Sequence, residues 1–76
     1  MPIDHRADIA AEVRAEMSRQ NKTQDDLAAV LGLSQQTISP RLRGLRSFRA
    51  EELKLVAEWL KVPVAQFTSP VQQGAA

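Results

Sequence analysis

The sequence predicts an all-α fold, a compact single domain of five helices without strands. Three observations carry that prediction. Apolar residues recur at three- and four-residue spacing in successive stretches of the chain, the period of a helix with one buried face. Hydroxyl side chains precede two of these stretches, at Thr23 and Ser34, and glycines follow them, at Gly32 and Gly44, which is the start-and-stop punctuation of short helices. Finally, 76 residues without a cysteine leave room for one core and no disulfide or thiolate–metal staple. A chain of this size buries only about 60% of the surface its unfolded form exposes.

The first helix is expected from about Asp4 to Gln20. Ile9, Val13 and Met17 share one face, with Glu12, Arg14, Glu16 and Arg19 pointing away. Asn21-Lys22 ends it. Thr23 then caps a second helix, and Asp26, three residues on, suits the positive helix end and a short-armed capping box. Leu27, Ala28 and Leu31 form its buried face. Gly32 supplies a residue able to adopt positive φ, and Leu33 turns into the core. Ser34 caps a third helix, which carries Ile38 and Leu42 inward until Gly44 stops it. A loop from Leu45 to Arg49 leads to a fourth helix, about Ala50 to Lys61, striped by Leu53, Val56, Ala57 and Leu60. Pro63 opens a last helical turn ending near Phe67. Residues 1–68 are thus expected to form the domain, with 69–76 a polar, small-residue tail.

Composition excludes several functions. One histidine, His5, builds no metal site, and no nucleophile–base pair or phosphate-cradling glycine loop can be assembled, so an enzyme is not expected. Asp25-Asp26 is a carboxylate pair in sequence only and suits a helix start. No cofactor or small-molecule substrate is implied. No apolar run approaches the roughly 20 residues of a membrane span, nor does the start read as a signal peptide, so a cytoplasmic location is expected. Net charge is only +1. Its distribution says more: Arg41, Arg43, Arg46 and Arg49 follow one another with no acid between them, a local electrostatic footprint of nucleic-acid binding. A helix C-terminal dipole accounts for about two of the four.

Residues 23–44 combine a capped amphipathic helix, a glycine-centred turn and a second short helix that opens with two glutamines and ends among arginines. That is the sequence form of a helix-turn-helix, whose second helix lies in the DNA major groove. The pattern Thr23-Gln24, Leu27-Ala28, Leu31-Gly32-Leu33-Ser34, Thr37-Ile38-Ser39, Gly44, Leu53, Ala57, Leu60 and Val62 resembles the lambda-repressor-like (Cro/C1-type) helix-turn-helix family of phage repressors and bacterial regulators, over about residues 9–67.

The resemblance implies roles. Gln24 matches the glutamine that, with the helix N-terminus, meets a DNA phosphate. Gln35 and Gln36 open the recognition helix facing base edges. Independently of the family, a glutamine amide carries both donor and acceptor and can bond adenine N6 and N7 together. Thr37 and Pro40 complete the expected base-facing set, Pro40 offering at most an apolar contact to a thymine methyl. Ser34, Ser39, Arg41, Arg43 and Arg46 are the expected phosphate contacts, with Arg41 less secure than Arg43 and Arg46. Ser34 and Thr37 fit equally a plain capping and a solvent-facing role. Trp59 covers the core between the first and fourth helices or anchors a dimer contact with Val64 and Phe67; a homodimer would match a two-fold operator.

Three positions depart from the family pattern. An arginine–glutamate pair common in relatives is replaced by Met17 and Leu42, both apolar, which keeps that contact dry. Pro40 falls inside the recognition helix, where it removes the amide that would bond the Gln36 carbonyl; a kink or loosening after Gln36 is expected. Arg49 stands where relatives cap the fourth helix with a hydroxyl; arginine has no acceptor, so Ser47 is expected to cap instead.

The leading function is sequence-specific double-stranded DNA binding as a transcriptional regulator, a phage Cro-like or immunity-type repressor, either a small protein or a domain of a longer one. Two alternatives belong to other classes. One is an antitoxin of this fold that binds operator and toxin. The other is a helix-turn-helix module that binds protein rather than DNA, for which the acidic Asp25-Asp26 beside Gln24 argues.

Overall fold

The computed structural model describes residues 5–68. The expected tail over 69–76 and the expected helix start at Asp4 lie outside the described residues. Four α-helices follow one another, α1 (Arg6–Arg19), α2 (Gln24–Leu31), α3 (Gln35–Leu42) and α4 (Ala50–Leu60). A helical turn over 65–68 completes the fold, and no strand occurs among the described residues.

Helix α2 packs against both α3 and α4, and α1 against the same two helices. Their apolar faces meet in one core of Val13, Met17, Leu27, Ala28, Ile38, Leu42, Leu53, Val56, Ala57, Leu60 and Phe67, flanked by Ile9, Leu31, Leu33, Phe48, Trp59 and Val62. Met17 and Leu42 are both buried there, so the family's polar pair is replaced by packing.

Each helix ends in the same way. Asn21, Gly32, Gly44 and Lys61 all have positive φ, between 58° and 77°. In each case the next residue's amide bonds a carbonyl five residues back: Lys22 to Met17 at 2.8 Å, Leu33 to Ala28 at 3.0 Å, Leu45 to Pro40 at 2.9 Å and Val62 to Ala57 at 3.0 Å. This is the Schellman closure, and it satisfies carbonyls that a helix end would otherwise leave unbonded. Glycine adopts the left-handed region freely. At Gly44 it is needed twice over, because a Cβ there would lie 2.9 Å from the Ala7 Cα.

The predicted caps of α2 and α3 are present. The Asp26 amide donates to Thr23 Oγ1 at 3.1 Å, and the Thr23 amide donates to Asp26 Oδ2 at 2.9 Å. The Thr37 amide donates to Ser34 Oγ at 3.3 Å. At α4 the expectation fails: the N-cap is Arg49, not Ser47, with the helix starting at Ala50. The Arg49 side chain accepts nothing, but Glu52 Oε1 accepts from the Arg49 amide at 2.9 Å. Half of a capping box therefore suffices without a hydroxyl.

Pro40 does not break α3, which runs continuously from Gln35 to Leu42. The expected loosening after Gln36 is absent for a definable reason. Proline removes one donor, whereas Ser34 fixes one end of the helix and its last four carbonyls are all bonded. Ser39 accepts from the Arg43 amide, Pro40 from the Leu45 and Arg46 amides, and Arg41 from the Gly44 amide. Leu42 accepts from the Arg14 guanidinium.

Glu16 also departs from expectation. It is buried rather than pointing to solvent. Its Oε1 accepts from Arg19 Nη2 at 2.9 Å and Gln66 Nε2 at 2.6 Å, while Oε2 accepts from Gln20 Nε2 at 2.9 Å. Gln20 Nε2 also donates to the Leu60 carbonyl at 2.7 Å. This network ties the end of α1 to the end of α4 and to the last helical turn. It covers the core edge where Phe67 inserts.

Candidate nucleic-acid interface

Ile38 and Leu42 point into the core, so the opposite side of α3 must face outward. At helical spacing that side holds Gln36, Pro40 and, at its end, Arg43, with Ser39 at its margin, whereas Gln35 lies on the Ile38 stripe and is exposed because it opens the helix. Gln35, Gln36 and Arg43 are exposed; Ser39 and Pro40 are half-buried. Gln35 and Gln36 occupy the first two helical positions after Ser34. No hydrogen bond to another described residue engages either side-chain amide, so both retain full donor and acceptor capacity.

Thr37 and Arg41 lie on the flank of α3, turned towards α4. Thr37 Oγ1 is 3.1 Å from Ser34 Oγ, so these two hydroxyls serve the cap and each other. Arg41 Nε donates to Glu52 Oε1 at 2.9 Å, and its Nη1 donates to the Thr37 carbonyl at 3.1 Å. With side-chain exposures of 15% for Arg41 and 12% for Glu52, the guanidinium is turned inward. Arg41 therefore differs from Arg43 and Arg46 in that its charge is already engaged by an acid.

Arg43, Arg46 and Arg49 are exposed and form no ion pair with another described residue. Gln36, Thr37, Pro40, Arg41, Arg46, Ser47 and Arg49 line an open hollow of about 540 Å³ between α3 and the loop that follows it. This hollow is cationic, with the Arg41 charge offset by Glu52. On the other side of the helix-turn-helix, Gln24 is half-buried at the first position of α2. Beside it, hydrogen bonds from the backbone and side chain of Thr23 hold the Asp26 carboxyl below its ordinary pKa. Asp26 thus serves the cap, while Asp25, exposed like it, has no such role.

The family model for the helix-turn-helix (HTH_3) matches residues 12–67. The chain belongs to this lambda-repressor-like family. The matched span takes in most of α1 and all of α2, α3 and α4, and membership supports a DNA-binding helix-turn-helix regulator. Searches of curated proteins and of solved structures return no match. Among the described residues no helix is long and apolar enough to cross a membrane, and no group of side chains suited to a metal ion occurs.

The three residues expected at a dimer contact separate. Phe67 is fully buried, at 0% exposure. It is a core residue and offers no surface to a second copy, a correction that follows from the helical turn over 65–68 folding its ring inward. Trp59 is partly buried against the core, with Lys22 Nζ 5.6 Å from its ring centroid, a cation–π distance. Val64 is exposed, as is Leu55 one turn before Trp59 on α4.

Several site-supporting residues escaped the sequence reading. Glu52 pairs with Arg41, Arg14 with the end of α3, and Glu16 with Gln66. The bond from the Arg49 amide to Glu52 had a signal, an acid at the third position of a helix whose cap cannot accept, but its pairing with Arg41 had none. The other two contacts span 28 and 50 residues, and no local pattern announces them.

Proposed function

We propose that this chain is a sequence-specific double-stranded DNA-binding regulator of the phage Cro-like or immunity-repressor kind, reading an operator through the major groove with the start of α3. Gln35 and Gln36 meet base edges, and Pro40 presents its ring to a thymine methyl. Arg43 and Arg46 contact phosphates on one flank. Gln24 and the amino end of α2 contact them on the other, with Ser34 and Ser39 between. Thr37 and Arg41 hold this surface in place.

The supporting observation is the juxtaposition of two uncommitted glutamine amides at a helix start with arginines that no acid among the described residues neutralises. Each bidentate glutamine–adenine contact discriminates by about 1–3 kcal/mol; the arginines add affinity that is blind to sequence and sensitive to salt. The capping role of Asp26 gives one of the two acids that favoured a protein-binding module a structural reason to be there. A homodimer on DNA would use the exposed Val64 and Leu55 with Trp59.

Selection of duplexes from a random pool tests this reading. A defined motif should emerge, and its binding should weaken steeply between two salt concentrations. Gln36→Ala should relax preference at particular base pairs, whereas Arg46→Ala should weaken all sequences alike and lower the salt slope. Failure of every duplex to bind at low salt would overturn the proposal, and co-purification of a second small protein would point to the antitoxin alternative.

A further inference from the structure

The loop that carries Arg43 and Arg46 is held from behind by α1 at three points. The Arg14 guanidinium donates to the Leu42 carbonyl, which is left without a backbone donor because the Arg46 amide bonds Pro40 instead, at 3.3 Å. Arg6 Nη1 donates to the Leu45 carbonyl at 3.1 Å. Between them, Gly44 lies so close to Ala7 that a Cβ would come within 2.9 Å of its Cα. The two guanidinium bonds thus bracket residues 43 and 44, and the backbone contact seats the loop against α1.

We infer that Arg14 is a positioning residue for DNA binding. It acts through the Leu42 carbonyl and fixes the direction in which Arg43 and Arg46 leave the loop. This rests on the DNA-binding reading above and extends it to α1, which touches no base in that reading. The physical argument is preorganisation. An arginine on a free loop loses conformational freedom when it meets a phosphate, and one on an anchored loop has already lost part of it. Arg14 also carries positive charge to the C-terminal end of α3, where the helix dipole favours it.

The test compares the intact chain with Arg14→Met, which keeps the apolar stem and removes the donor. Four proteins are measured on the selected duplex: wild type, R14M, the pair R43A/R46A, and the triple variant. The expected result is weaker binding by R14M with a shallower salt slope, by about 0.9 for each phosphate that is no longer neutralised, although Arg43 and Arg46 are still present. In the R43A/R46A background, R14M should then change affinity less than twofold, because the residues it positions are gone.

Equal weakening by R14M in both backgrounds would mean that Arg14 meets DNA itself, and would overturn the inference. So would unchanged affinity in the wild-type background. Hydrogen exchange without DNA supplies a second readout. The Leu45 and Arg46 amides, which bond Pro40, should exchange at least several-fold faster in R14M, and unchanged exchange also overturns the inference. If R14M does not fold, Arg14→Leu, which likewise removes the donor, gives the same comparisons. Wild type that binds no duplex would overturn the DNA reading itself, and this one with it, whatever the exchange rates.

Discussion

Arg41 and Glu52 join the recognition helix to the start of α4 through a 2.9 Å ion pair, and the same Glu52 oxygen accepts the Arg49 amide at 2.9 Å. One carboxylate therefore caps α4 and holds the flank of α3. Glu52→Ala leaves a poorly solvated guanidinium without its partner and α4 without its cap. Hydrogen bonds to charged groups contribute about 1.5–3 kcal/mol, so a loss of about 2 kcal/mol in urea unfolding is expected. Arg41→Ala should likewise lower stability but leave the salt slope of DNA binding nearly unchanged. A slope change as large as that of Arg46→Ala would return Arg41 to the phosphate contacts.

Pro40 costs α3 one hydrogen bond without breaking it. Pro40→Ala restores an amide facing the Gln36 carbonyl and should raise stability. The intrinsic helix difference is about 3 kcal/mol, reduced by up to about 1 kcal/mol for the extra freedom an alanine gives the unfolded chain, so about 2 kcal/mol is the expected gain. Thermal unfolding checks it, and a variant no more stable than wild type would mean that the ring contributes packing of its own. The motif selected by Pro40→Ala should differ from the wild-type motif at no more than one base pair per half-site.

The four left-handed helix ends give a ranked series. Gly32→Ala meets open space and bears only the left-handed conformational cost, about 1–2 kcal/mol. Gly44→Ala bears the same cost plus the collision with Ala7, so it should be the more destabilising of the two by a clear margin. Lys61, with φ 59°, runs the other way: Lys61→Gly should stabilise by up to about 1 kcal/mol. Urea midpoints of the three variants test the order. Equal effects at Gly32 and Gly44 would show that α1 moves aside without cost.

How much of this was legible in the sequence depended on range. Thr23, Asp26, Ser34 and Gly32 act within four residues of themselves, and their roles follow from local hydrogen-bonding chemistry, whereas the approach of Gly44 to Ala7 does not. Pro40 misled because the local rule for proline takes no account of what else holds α3: the Arg14 bond to Leu42 comes from another helix. Phe67 misled in the opposite sense. An aromatic side chain near a chain end reads equally as core or surface, and only the fold of the last turn decides. At the interface, the exposure of Gln36 followed from the inward Ile38 and Leu42, and that of Gln35 from its place at the helix start. The inward turn of Arg41 did not, because Glu52 is brought to it by the packing of α4.

Glu16 makes the last element pH-sensitive. Its pKa is held below the ordinary carboxylate value near 4.5 by hydrogen bonds from Gln20, then Arg19, then Gln66. A depressed folded-state pKa means that the ionised form is favoured by folding. The stability it contributes is therefore fully present above about pH 4.5 and disappears as pH falls through the lower, folded value. Asp26 adds in the same direction. Unfolding midpoints should thus be nearly level from pH 7 to about pH 5 in respect of these two groups and fall below that. Glu16→Gln should be less stable at neutral pH and lose less on acidification, because its amide carries no charge to be neutralised. The first region to respond should be the helical turn over 65–68, since Gln66 bonds the Glu16 carboxylate directly. Exchange of the Phe67 amide, which bonds the Val64 carbonyl at 3.0 Å, should quicken as the pH falls before amides in α2 and α3 do. Simultaneous loss at all of these sites would place the acid sensitivity in the whole domain rather than in this network.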